Sequence, residues 1–124
     1  MAATGTATYT EEISGSVKLV TCDWTSAASG GSVTENASTK YYTGKVIYAA
    51  FEPGATTPSD NYDVTVLDKN SNDILNGLGV DRSNAATVYV DEYDGLGAVA
   101  NSQITVTVAN AGNSKTGSVY LWIR

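Results

Sequence analysis

From Ile104 to Arg124 apolar and polar residues alternate with a period of two, interrupted by a run of turn formers. Ile104, Val106 and Val108 alternate with Thr105, Thr107 and Ala109. After Asn110-Ala111-Gly112-Asn113-Ser114, Val119, Leu121 and Ile123 alternate with Tyr120, Trp122 and Arg124. Successive side chains of a strand point to opposite faces, so the aliphatic set must be covered, while Thr105, Thr107, Tyr120 and Trp122 face the other way. The spacing predicts a C-terminal hairpin whose aliphatic face joins a core. No window carries the apolar stripe of an amphipathic helix.

The same pattern continues upstream. Stretches rich in Thr, Val, Tyr and Ile at about 6–12, 15–25, 40–52, 61–68 and 86–93 read as strands, with Gly, Asn, Ser and Asp in the gaps. In Lys45–Phe51 both alternating sets are apolar: Ile47, Ala49 and Phe51 on one, Val46, Tyr48 and Ala50 on the other. That suits a central strand, or one beside a partner chain. A chain of 124 residues is long enough to bury a single core. Neither the Gly/Ser-rich loop 26–38 nor the Pro-containing loop 52–61 is long enough to link two domains. The expectation is an all-β fold, a single β-sandwich or small barrel of about seven to eight antiparallel strands over residues 9–124. Residues 1–8, small and uncharged, are expected to form a flexible arm able to add to the sheet edge of a neighbour through Thr4, Thr6 and Thr8.

Composition argues against catalysis. With no histidine, the Ser-His-Asp and Cys-His arrangements and ordinary zinc sites are excluded. Asp91, Glu92 and Asp94 are close in sequence, but paired catalytic carboxylates usually face each other across a cleft, so these read as a solvated turn. Asp68-Lys69-Asn70-Ser71-Asn72-Asp73 has oxygen side chains at the alternating spacing a hard cation favours. It departs from a calcium loop at Asp73, where glycine is needed, and reads as a β-turn. Gly77-Leu78-Gly79 and Gly95-Leu96-Gly97 lack the lysine and spacing of a phosphate loop and also read as turns. The single cysteine, Cys22, has no basic neighbour in sequence and is expected to pack as a small apolar residue. No cofactor is implied.

Net charge is −6, and the seven basic residues are scattered. Such a chain is expected to repel a phosphate backbone rather than bind nucleic acid directly. No stretch has the length of a membrane span or the pattern of a secretory signal, so no membrane partner is expected. The aromatics are more informative. Tyr89, Tyr93, Tyr120 and Trp122 fall in the outward phase, and such residues serve protein interfaces and sugar-binding platforms.

Several stretches resemble small structural proteins of tailed bacteriophages: Tyr41-Tyr42-Thr43-Gly44-Lys45-Val46, Pro53 through Thr65, Gly97 through Ser102, and the ending from Asn110 to Arg124. The likeness covers most of the chain after about residue 9. It implies a virion component made in the host cytoplasm, foremost a head decoration or cement protein. Such a protein would bridge and stabilise coat subunits, with the major capsid protein or other virion proteins as partners and a homo-oligomeric state. The alternatives are a tail, connector or head-fibre component, or a carbohydrate-binding module.

Overall fold

A computed structural model describes residues 5–34 and 36–124. Eight strands follow one another: β1 (Thr6–Ser14), β2 (Val17–Thr25), β3 (Tyr42–Pro53), β4 (Asp63–Leu67), β5 (Val88–Asp91), β6 (Ala98–Ser102), β7 (Thr105–Ala109) and β8 (Thr116–Ile123). A single 3-10 turn, Glu92–Asp94, lies between β5 and β6. The strands form two antiparallel sheets, and the fold is a β-sandwich. The larger sheet runs β1-β2-β8-β3-β5, with β6 also pairing with β3; the smaller is β4-β7. Bridges from Val33 to Val108 and from Ala37 to Thr105 extend the smaller sheet along the far side of β7.

Alternation fixes which side chains meet between the sheets. Val20, Cys22 and Trp24 of β2 and Val119, Leu121 and Ile123 of β8 point inward, against Val64 and Val66 of β4 and Val106 and Val108 of β7. All are at most 2% exposed. Strand β3 owes its two apolar phases to a bulge between Val46 and Tyr48, which inserts one residue opposite β8. Val46, Ala49 and Phe51 therefore all reach the core, while Tyr48 and Ala50 lie on the outer face.

The expected C-terminal hairpin does not form. β7 pairs with β4, Val64 opposite Val108, whereas β8 lies between β2 and β3 in the other sheet. Residues 110–115 cross from one sheet to the other. Asn110, Gly112 and Ser114 take positive φ along this crossing, and Ala111 is fully buried. The Ser26 hydroxyl holds it, donating to the Gly112 carbonyl (2.6 Å) and accepting from the Lys115 N–H (2.8 Å). Both strands keep the predicted inward residues; only their partners differ.

Part of the segment expected as an arm, residues 1–8, is strand instead. Thr6, Ala7 and Thr8 belong to β1, paired with Thr25, Trp24 and Asp23. Ala7 packs against the core, and so does Tyr9, which explains why this Thr-rich segment joins its own sheet. Thr4 lies outside the described residues.

Candidate functional site

The outer face of the larger sheet carries a cluster of aromatic rings. The register places residues of adjacent strands in rows across it. One row runs Leu19, Trp122, Tyr48 and Asp91; the next runs Thr21, Tyr120, Ala50 and Tyr89. Four rings from three strands thus adjoin. Tyr48 stacks on Tyr89 (centroids 5.8 Å apart) and meets Trp122 edge-on (5.2 Å), and Trp122 lies 6.2 Å from Tyr120. These are the separations at which aromatic pairs attract beyond their buried area. Tyr89 nevertheless remains 57% and Tyr48 36% exposed. Three of the rings, Tyr89, Tyr120 and Trp122, border a concavity of about 280 Å³ together with Leu19, Ala50, Glu52 and Thr87. Ala50, the small residue of the group, is itself only 2% exposed.

Charged rows lie on either side of the rings along the strands. Beyond Tyr120 the register aligns Asp23, Ser118 and Glu52. The Tyr120 hydroxyl donates to Glu52 Oε1 (3.0 Å), and Ser118 Oγ donates to Asp23 Oδ1 (2.6 Å). Burial first, and then the Glu52 carboxylate, hold the Tyr120 hydroxyl above the ordinary tyrosine range, so it stays a donor at neutral pH. Beyond Trp122, on the opposite side, Arg124 and Lys45 exchange backbone hydrogen bonds (2.9 Å each). Their neighbours Ile123 and Val46 are buried, so alternation directs both cationic side chains to the outer face. Among the described residues the ion pair present is Lys40–Glu11, so neither Lys45 nor Arg124 has an acidic partner there.

Of the residues expected to form the surface, Tyr89, Tyr120 and Trp122 come together. Tyr93 does not: it stands 90% exposed on the 3-10 turn. Thr6 and Thr8 lie on the same outer face beyond Asp23, bordering a second depression of about 350 Å³ with Thr116 and Ser118. Tyr48 was missed because unbroken alternation through Val46 and Ile47 gives it no distinct side; its position beside Val46 and Ala50 in a doubly apolar strand was the available signal.

The carboxylates with possible chemical roles are engaged in holding backbone. Asp91 Oδ1 accepts the N–H groups of Tyr93 and Asp94, and Asp94 Oδ2 accepts that of Asp91, a reciprocal capping box. In the 68–73 segment, Asp68 Oδ1 accepts from Asn70 and Asn72, and these bonds hold its carboxyl below the usual range. Asp73 turns away, accepting from Val66 and Leu75 on Oδ1 and from Gly77 on Oδ2. The two carboxylates thus serve separate sets of amides. Burial pushes the Cys22 thiol up to about 12, far from a reactive thiolate.

No protein-family model, curated protein or solved structure matches this chain.

Proposed function

We propose that this chain is a non-enzymatic structural protein of a bacteriophage particle, most specifically a capsid decoration protein, and that the ring-bearing face of its larger sheet is a protein interface. The observation that carries the interface is the contact cluster Tyr89–Tyr48–Trp122–Tyr120, left partly open to solvent on strands held from below by the core. Large rings with few rotatable bonds give much contact area for little lost entropy, which is why such residues dominate interface energetics. The particle assignment draws on the resemblance of the turn and strand segments quoted above. An acidic chain also suits the outside of a shell better than the DNA-filled interior.

The test is occupancy on coat-protein shells of the encoding phage, measured by co-sedimentation and cryo-electron microscopy. The wild-type chain should coat the shells, and Trp122→Ala should lose occupancy while keeping its thermal melt. Shells left bare by the wild-type chain would overturn the assignment.

A second reading is favoured by one feature: the 280 Å³ concavity combines ring walls with the Glu52 carboxylate, a combination that can stack and hydrogen-bond a sugar ring. Saturable binding on a glycan array, abolished by Tyr120→Ala, would select it.

A further inference from the structure

The outer face is complementary to itself, and we infer that its occupant is a second copy of this chain, docked face to face about a two-fold axis. The inference rests on the proposed function only in taking this face as a protein interface.

The symmetry is read from the register. Along β8 the acidic row lies at Ser118 and the basic row at Arg124, each about 10 Å from the level of Leu121 at the rise of a strand. The two aromatic rows, at Tyr120 and Trp122, are also equidistant from that level. A two-fold axis in the plane of the interface, crossing the strands at Leu121, reverses the strand direction and exchanges the rows. Each strand then faces its own counterpart, as an isologous interface requires.

Three pairings follow on β3 and β8. Glu52 and Lys45, both on β3, are brought opposite each other in the two copies, so Lys45 gains an acidic partner. Tyr120 of one copy meets Trp122 of the other. Tyr48, a protruding ring, falls opposite Ala50, the small residue bordering the 280 Å³ concavity. Large opposite small is the arrangement by which facing sheets interdigitate, and aligned sheets pack at a shallow angle that keeps central strands in register. A two-fold axis running along β3 instead, which leaves the strands of both copies in the same direction, would place Glu52 against Glu52 and Lys45 against Lys45.

Between its charged rows the face spans about 20 Å along the strands and about 20 Å across them. That is at the small end of specific interfaces, so a dissociation constant in the micromolar range is expected.

The experiment is sedimentation velocity and light scattering across ~1 to ~200 μM. The wild-type chain should pass from the mass of one chain to that of two. Glu52→Lys alone and Lys45→Glu alone should each weaken the dimer about tenfold or more, because each sets like charges opposite one another. The double variant should recover most of the loss, since the exchange restores both pairs. Tyr48→Ala, at a partly exposed position that leaves the core untouched, should also give a folded monomer. A chain that stays monomeric throughout, a dimer indifferent to Tyr48→Ala, or a double variant no tighter than the weaker single one would overturn the pairing. A monomer that still coats shells through Trp122 would overturn the pairing alone, leaving the particle assignment intact. A wild-type dimer that responds to the charge exchange yet never binds shells would support the pairing and remove the particle assignment.

Discussion

The Tyr9 hydroxyl on β1 accepts the backbone N–H of Val106 on β7 at 2.9 Å, joining the edge of the larger sheet to the smaller one. The same hydroxyl donates to the Asn36 carbonyl, so one phenol satisfies groups on two segments of the opposite layer. Removing it strands a donor and an acceptor that are at least partly shielded from water. Tyr9→Phe is expected to destabilise the domain by about 1–3 kcal/mol in urea, with an unchanged m-value. A loss below a few tenths would mean that water replaces the phenol freely.

Gly117 is placed against Trp24 so closely that a Cβ there would lie 2.3 Å from Cζ2 of the indole. Trp24 is wholly enclosed and packs against Tyr62 with centroids 5.7 Å apart, so it has little room to retreat. Gly117→Ala should cost about 1–3 kcal/mol by overpacking, and the indole fluorescence should shift. Combined with Trp24→Phe, the cost of adding the methyl group should fall, because the offending atoms are gone; strict additivity would refute this contact as the cause.

Alkaline stability follows from the buried acids. Cys22 is raised from 9.0 to about 12, and Tyr42 and Tyr62 from 10.0 to about 12, in each case chiefly by burial. Each group is held neutral in the fold, while the unfolded chain ionises at its ordinary pKa. The stabilisation is therefore full below pH 9 and is lost as the pH rises from there towards 12. Thermal melts should fall steadily over that window. Cys22→Ala should flatten its lower part, and at pH 8 the wild-type thiol should react with a disulfide reagent only after denaturation. Prompt labelling of the native chain would contradict the burial.

Asp73 holds three backbone N–H groups from Val66, Leu75 and Gly77, tying β4 to the segment that follows it. Asp73→Ala should cost about 2–4 kcal/mol, as charge-assisted bonds to several amides are lost together. A chelator should leave the melting temperature unchanged. A fall reversed by added calcium would instead mean that the 68–73 segment binds metal.

Alternation made the strand phases legible in the sequence, because burial on one face is a local demand. Leu121 and Val106 are core residues as their spacing implied, and Tyr120, Trp122 and Tyr89 share the outer face. Pairing was less legible. An Asn-Ala-Gly-Asn-Ser run between alternating stretches suits a hairpin and a crossing between sheets equally well; what distinguishes them here is the burial of Ala111, a tertiary fact. The bulge that turns Tyr48 outward likewise has no local marker, since Val46 and Ile47 are both apolar. The threonines at 6 and 8 look like an arm in isolation and become strand because Ala7 and Tyr9 between and beside them have a core to enter.

The position of β8 bears on how the molecule is made. Thr25 pairs with Thr116 and Lys18 with Ile123, so the middle of the larger sheet is built from contacts between remote parts of the chain. Closing such long loops is entropically unfavourable before any contact is gained, and proteins dominated by non-local pairing fold in milliseconds to seconds rather than microseconds. Until β8 arrives, β2 and β3 each have an open edge where its hydrogen bonds belong. The nascent chain is then most exposed to capture by another unfinished copy, which makes the rate of synthesis and the local crowding of chains matter to its yield.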